Sequence, residues 1–179
     1  MNLFLLGYRC AGKTVVGREL ARRLAWTFAD ADDLLERRSG RSVADLVADK
    51  GWEAFRDREG TLLGELCRGR DQVVATGGGA ILRSGNVAAM RAAGVTVWLR
   101  VGVETVRRRM AADPRSAGMR PALEGDDPVA EAAEVLRKRA PLYALAADVT
   151  VDAETGSVAQ VADRILTACR GRLGLERTP

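Results

Sequence analysis

The sequence of 179 residues contains no histidine. That absence excludes a histidine general base, a zinc site of the usual kind and a Ser-His-Asp triad. The three cysteines, Cys10, Cys67 and Cys169, follow no spacing typical of a metal site or a disulfide framework. We therefore expect a reduced, cytoplasmic protein whose chemistry depends on other residue types.

Aromatic residues and long apolar runs are also scarce. Two Tyr, three Phe and three Trp give no evident platform for stacking nucleic-acid bases. The net charge is +4, but the arginines are scattered among acidic residues instead of forming one basic stripe. No segment approaches the ~18–20 apolar residues that span a bilayer. We expect neither a nucleic-acid nor a membrane partner, and the excess of arginine suits a triphosphate and an acidic small molecule.

The most informative segment is the glycine-rich sequence G-Y-R-C-A-G-K-T at 7–14. It matches the phosphate-binding loop pattern G-x-x-x-x-G-K-[ST], between an apolar strand at 2–6 and a segment of helical spacing from 15. Such a loop directs backbone N–H groups and a helix dipole at phosphates. The alternative is a glycine turn that happens to precede a lysine. Such a turn does not require a strand before it and a helix after it, and the sequence has both. The residues expected to bind the nucleoside triphosphate are Gly7, Cys10, Ala11, Gly12, Lys13, Thr14 and Val15, with the Thr14 hydroxyl also on Mg²⁺.

Strand and helix signals alternate along the rest of the chain. Strands are predicted at 26–29, 72–75, 95–99 and 148–152. Helices are predicted between them, with Ser42, Ser84 and Ser157 as caps and with Pro141 breaking or kinking a helix at 129–139. Alternation of this kind is typical of a parallel sheet with helices on both faces. We predict one domain over 1–170 and a frayed tail at 171–179.

Residues 111–127 interrupt this alternation. The segment contains Pro114, Gly118, Arg120, Pro121 and Gly125, and it has neither helical nor strand periodicity. Such a composition indicates a mobile lid over a site or, alternatively, a surface excursion.

Several short motifs occur in a fixed order around these elements. After the loop at 7–14 come D-A-D at 30–32, F-R at 55–56, G-G-G at 77–79, R-P at 120–121 and R-A-P-L-Y at 139–143. In this order and spacing the chain resembles shikimate kinases over about its first 150 residues. The resemblance implies the three-layer P-loop kinase fold, with a five-stranded parallel sheet and a mobile lid. It also implies ATP-dependent phosphorylation of the 3-hydroxyl of shikimate, a step toward chorismate and the aromatic amino acids.

The resemblance further implies catalytic roles for Lys13, Asp32 and Arg120. Lys13, together with Mg²⁺ held by Thr14 and by Asp30 through water, would neutralise the transferring phosphate. Arg120 would add charge when the lid closes. Asp32 would bind the acceptor hydroxyl and help to take its proton. Its negative charge would also interact favourably with the dipole of a helix that begins there.

The expected acceptor site consists of Asp32, Arg56, Arg139 and Gly77, Gly78 and Gly79. Arginine forks suit the carboxylate of shikimate, and glycines would let its ring approach the backbone. The alternatives are a surface ion pair of Arg56 with Glu53, Asp57 or Glu59, and a glycine turn that requires positive φ.

One departure from the family concerns adenine, because the stretch 152–156 lacks the arginine that members often carry after strand five. Adenine would then be held mainly by stacking on Arg109 and by backbone groups. The runner-up functions are another small-molecule kinase, for gluconate or nucleotides, and a non-catalytic nucleotide-binding module. Two arginines placed for a carboxylate argue against the first, and intact Lys13 and Asp32 argue against the second. We expect a monomer.

Overall fold

Five parallel strands form the centre of the computed structural model, which describes residues 1–112 and 130–174. Along the chain they are β1 (Asn2–Leu6), β2 (Thr27–Asp30), β3 (Gln72–Ala75), β4 (Gly94–Arg100) and β5 (Val149–Asp152). The spatial order is β2-β3-β1-β4-β5, and every neighbouring pair is parallel. The predicted five-stranded parallel sheet is confirmed.

Within the described residues, seven α-helices and one short 3-10 helix connect the strands. They are α1 (Lys13–Leu24), α2 (Ala31–Ser39), α3 (Val43–Arg68), the 3-10 helix (Ala80–Leu82), α4 (Ser84–Ala93), α5 (Val103–Ala112), α6 (Ala132–Ala146) and α7 (Val158–Cys169). None of these helices is both long and apolar enough to cross a membrane.

The side chains of β1 explain the three layers. Leu3 and Leu5 face one hydrophobic cluster, which includes residues of α1, α5 and α7. Phe4 and Leu6 face a second cluster, which includes residues of α3, α4 and α6. A strand that is buried on both faces has no polar side, so its sequence is apolar from Leu3 to Leu6. The predicted arrangement of helices on both faces is confirmed.

The position of β1 in the sheet also determines where the candidate site lies. It lies between β3 and β4, so the connections on its two sides run in opposite directions. In open α/β sheets, ligands bind in the crevice that this reversal leaves beyond the carboxyl ends of the strands. The glycine-rich loop follows β1 directly at this point.

The two helices predicted at 42–47 and 53–67 are confirmed: both lie within α3, and Gly51 separates them with non-helical φ 78° and ψ 173°. Local details depart from the sequence-based expectations in two places. The expected cap at Ser84 is wrong, because Arg83 occupies the cap position and Ser84 is already helical. α6 continues through Pro141 to Ala146, since buried residues on both sides of the proline, Leu136 and Tyr143, hold the helix in place.

Two predicted helix caps are confirmed, and other predictions concern residues that the structure does not describe. Ser42 and Ser157 cap their helices in reciprocal capping boxes, as predicted. The helix before the predicted lid extends to Ala112, and residues 113–129, which include Arg120, lie outside the described residues. Leu173 is buried against the core, and 175–179 also lie outside the description.

Candidate active site

The glycine-rich loop forms the floor of the larger cavity. Gly12 has φ 96° and ends the loop, so that α1 begins at Lys13 with its first N–H groups facing the opening. The Lys13 ammonium donates hydrogen bonds to the carbonyls of Gly7 (2.8 Å) and Tyr8 (2.9 Å). The cavity measures about 670 Å³ and is lined by Cys10, Ala11, Gly12, Lys13, Thr14 and Val15. Gly7 lies below this lining, where an added Cβ would come within 2.9 Å of the Leu99 carbonyl oxygen.

Thr14 and Asp30, the residues predicted to hold Mg²⁺, lie in contact. The Thr14 hydroxyl donates to Asp30 Oδ2 at 2.7 Å, while Asp30 Oδ1 accepts from the N–H groups of Asp32 and Asp33 and thereby caps α2. The described residues contain no group of three or more His, Cys, Asp or Glu arranged for a metal. One hydroxyl and one carboxylate still fit Mg²⁺, which usually keeps several waters and takes its remaining ligands from substrate phosphates.

Arg109 lies at the far end of the same cavity. Its guanidinium donates to the carbonyls of Cys10 and Ala153, each at 3.1 Å, and so ties the loop to the residues after β5. Ala153, Gly156, Val158 and Val161 line the cavity beside it. Small and apolar residues therefore surround the region where a nucleobase is expected.

A second cavity of about 50 Å³ opens next to the first. Its lining includes Asp32, Arg56, Gly78, Gly79 and Arg139 of the predicted acceptor site. Lys13 and Asp32 line both cavities. The other four residues, Arg56, Gly78, Gly79 and Arg139, line only the smaller cavity. The two cavities therefore meet at one ammonium and one carboxylate group.

Arg56 is held by a buried ion pair. Its Nη1 lies 2.7 Å from Glu59 Oε2, and the two residues are only 8% and 2% exposed. The rings of Trp52 and Phe55 lie 5.1 and 5.3 Å from the guanidinium carbon. Burial raises the pKa of the Glu59 carboxyl above its ordinary value, and the Arg56 charge opposes that rise. The alternative pairing of Arg56 with Glu59 on the same helix is therefore confirmed, but its expected place at the surface is wrong, because both residues are buried.

The three glycines after β3 give this ion pair its space. None of Gly77, Gly78 and Gly79 has positive φ, so the alternative of a positive-φ turn is wrong. A Cβ on Gly79 would lie 2.1 Å from Arg56 Nη2, and one on Gly77 would lie 2.0 Å from Glu59 Oε1. Gly78 has room for a Cβ, but its carbonyl accepts hydrogen bonds from Arg139 Nη1 (3.3 Å) and Tyr143 Oη (2.5 Å).

Six residues of the smaller cavity were not predicted as site residues: Tyr8, Arg9, Val43, Trp52, Phe55 and Glu59. Arg9 and Glu59 are buried charged residues, which is uncommon in protein cores. The position of Glu59, three residues after Arg56, suggested a helical pair, which was expected at the surface. Nothing in the sequence shows that the helix buries this pair.

Comparisons with known proteins agree with this geometry. The family model described as shikimate kinase matches residues 9–170. A shikimate kinase of Nitratidesulfovibrio vulgaris is 51% identical over 146 residues, 82% of this chain and 83% of that protein. One of Syntrophus aciditrophicus is 41% identical over 173 residues, 92% of this chain and 89% of that protein. The structure of shikimate kinase from Acinetobacter baumannii in complex with shikimate has a TM-score of 0.88 and 34% identity, covering 98% of this chain and 95% of that one.

Proposed function

The chain belongs to the shikimate kinase family, and on that premise we propose that it transfers the γ-phosphoryl group of ATP to the 3-hydroxyl of shikimate. The products are ADP and shikimate 3-phosphate, on the route to chorismate. The observation that carries this proposal is that Lys13 and Asp32 line both cavities. A phosphate bound on the loop and a hydroxyl bound in the smaller cavity would therefore meet between these two side chains.

The acceptor is held by charge and shape. Shikimate has one carboxylate and three hydroxyl groups, and Arg56 and Arg139 offer the guanidinium groups that bind a carboxylate with two parallel hydrogen bonds. Glu59 and the Gly78 carbonyl fix the orientation of those guanidinium groups before substrate arrives. Preformed orientation matters because the loss of entropy on binding is then smaller.

The transfer itself requires alignment and neutralisation of charge. The 3-hydroxyl oxygen forms a bond to the γ-phosphorus, the bond from that phosphorus to the β,γ-bridging oxygen breaks, and the hydroxyl proton leaves toward Asp32. Lys13 would leave the carbonyls of Gly7 and Tyr8 and bind the phosphates instead. Mg²⁺, held by Thr14 and Asp30, would neutralise the phosphate oxygens. We propose that Arg120 adds charge on closure of a lid at 111–127, as the sequence predicts.

The runner-up functions fit the smaller cavity less well. A nucleotide kinase has to bind a nucleobase, whereas the wall of the smaller cavity carries two arginines, which suit a carboxylate. A non-catalytic module would have no use for a carboxylate positioned between the two cavities. The geometry therefore favours a small acid as acceptor, and the family of the chain favours shikimate over gluconate.

A coupled assay of ADP release tests the function directly. We expect turnover with shikimate and ATP, and at most about 1% of that rate with gluconate or nucleoside monophosphates. An acceptor of different shape would not hold its hydroxyl in line with the γ-phosphate, and a misplacement of about 1 Å costs about 10²-fold in rate. Equal turnover with gluconate would contradict the proposal. Chelation by EDTA should stop the reaction and added Mg²⁺ should restore it. Quinate in the same assay would show how tolerant the acceptor site is, while the monomeric state and the cytoplasmic location stay predictions.

A further inference from the structure

The hydroxyl of Tyr8 is buried without a hydrogen bond. Tyr8 is 1% exposed, and across residues 1–112 and 130–174 its Oη contacts no donor or acceptor within hydrogen-bonding distance. The great majority of buried polar groups in proteins have a partner, and leaving one unsatisfied is unfavourable. Burial also raises the pKa of this phenol, so the group keeps its proton and remains a donor at neutral pH.

The surroundings of Tyr8 place its side chain at the acceptor cavity. The residue follows Gly7 in the glycine-rich loop, and its ring belongs to the same hydrophobic cluster as Val135 and Leu136 of α6. It lines the smaller cavity together with Asp32 and Arg139. The charges of Arg9, Glu131 and Arg139 all act on its hydroxyl. The phenol therefore lies where α6 and the loop form one wall of the cavity.

A second tyrosine of the same site provides the comparison. Tyr143 of α6 is also 1% exposed, but its Oη donates to the Gly78 carbonyl at 2.5 Å. A phenylalanine at either position would supply the same ring. The Tyr143 hydroxyl is explained by that bond within the protein, whereas the Tyr8 hydroxyl has no such explanation.

We propose that the Tyr8 hydroxyl donates a hydrogen bond to an oxygen of the bound acceptor and thereby contributes to the choice of substrate. This inference rests on the proposed function, since it takes a cyclic hydroxy acid as the ligand. A site built to bond one oxygen discriminates against acceptors that lack it, because the hydroxyl then stays unsatisfied. Tyr8 is thus a specificity-determining residue beside the residues that bind the carboxylate.

The test is Tyr8→Phe, measured with shikimate and with analogues that lack the 4- or the 5-hydroxyl or carry an amide in place of the carboxylate. The analogue without the 3-hydroxyl cannot accept a phosphoryl group, so its affinity is measured as a competitive inhibitor. One neutral hydrogen bond corresponds to about a 2- to 10-fold change in affinity, so we expect the KM for shikimate to rise by about that factor. The kcat should stay within about twofold. For the one analogue that lacks the bonded oxygen, variant and wild type should have equal KM values.

Two outcomes would overturn the inference. Either the KM for shikimate is unchanged, or it rises by the same factor for every analogue, as it would if the phenol only shaped the cavity. Tyr143→Phe is the matched control: it removes a satisfied bond and should lower the Tm, whereas Tyr8→Phe should leave the Tm unchanged or raise it. If the wild type itself does not phosphorylate shikimate, the proposed function fails, and that result is distinct from either outcome for Tyr8.

Discussion

The two cavities that meet at Lys13 and Asp32 are built in different ways. The nucleotide cavity depends on one continuous segment, in which a strand, a loop and a helix place backbone N–H groups around a phosphate. The acceptor cavity draws side chains from the loop, α2, α3, the glycines after β3 and α6. Three of these side chains, Arg9, Arg56 and Glu59, are charged and almost completely buried.

This difference has a physical reason. Many P-loop proteins bind the same triphosphate, so a local backbone motif is enough to hold it. Recognition of one particular acid requires side chains of defined charge at defined distances, and these must come from several elements. A buried charge is also costly unless it is paired, which is why the acceptor cavity contains an internal ion pair.

The largest effect is expected where the two cavities meet. Lys13→Ala removes the ammonium group that would neutralise the transferring phosphate, and we expect kcat to fall by about 10³-fold or more. The fold should be retained, because the Lys13 hydrogen bonds to the carbonyls of Gly7 and Tyr8 lie within one loop. Steady-state kinetics and a thermal melt measure the two quantities. Retention of more than a tenth of wild-type kcat would show that the loop backbone alone carries the transfer.

Substitution of an arginine that lines only one cavity should affect the binding of only one substrate. Arg139→Ala and Arg56→Ala remove partners of the substrate carboxylate, and truncation of a buried charge pair costs about 2–5 kcal/mol. The KM for shikimate should therefore rise by at least about 30-fold, with the KM for ATP changed less than threefold. Arg109→Ala is the matched control on the nucleotide side and should show the reverse pattern. If the shikimate KM changes as much in Arg109→Ala as in Arg139→Ala, the two cavities are not independent.

Sequence patterns revealed the two regions to different degrees. The loop at 7–14, the strand Gln72–Ala75 and the cap at Ser157 follow from neighbouring residues, and the structure agrees with each of them. The roles of Arg56 and of the three glycines came from resemblance. Their shared physical reason, that Gly79 leaves space for the Arg56 guanidinium, is a contact between elements more than 20 residues apart. Tyr8 was missed, and the Arg56–Glu59 pair was expected at the surface, because burial of a polar side chain depends on the packing of helices, which a local pattern does not contain.

A smaller effect tests the close approach of backbone and guanidinium. In Gly79→Ala the new methyl group would occupy the position of Arg56 Nη2, so the guanidinium must shift. We expect the KM for shikimate to rise by about 10-fold, which corresponds to about 1.4 kcal/mol, with little change in the KM for ATP. Gly85→Ala is a suitable control, because an added Cβ there meets no atom within 4 Å. Equal kinetics in both variants would mean that Arg56 relaxes without loss of binding.

The smallest effect concerns stability and pH, and it distinguishes the buried carboxyl of the acceptor cavity from a surface group. Burial raises the pKa of Glu59 in the folded state, while in the unfolded chain the carboxyl has its ordinary pKa near 4.5. Above that ordinary value the folded state binds more protons than the unfolded state, so this group's contribution to stability decreases as pH rises through the folded pKa. Glu59→Gln removes the titration. We therefore expect the Tm of the variant minus that of the wild type to increase between about pH 4.5 and pH 7, as measured by thermal unfolding at several pH values. Glu65→Gln removes a carboxyl that is 39% exposed and should give a difference that stays nearly constant. A Glu59→Gln difference that is constant or falls with pH would mean that Arg56 compensates the burial fully, and the carboxyl would then behave like a group at the surface.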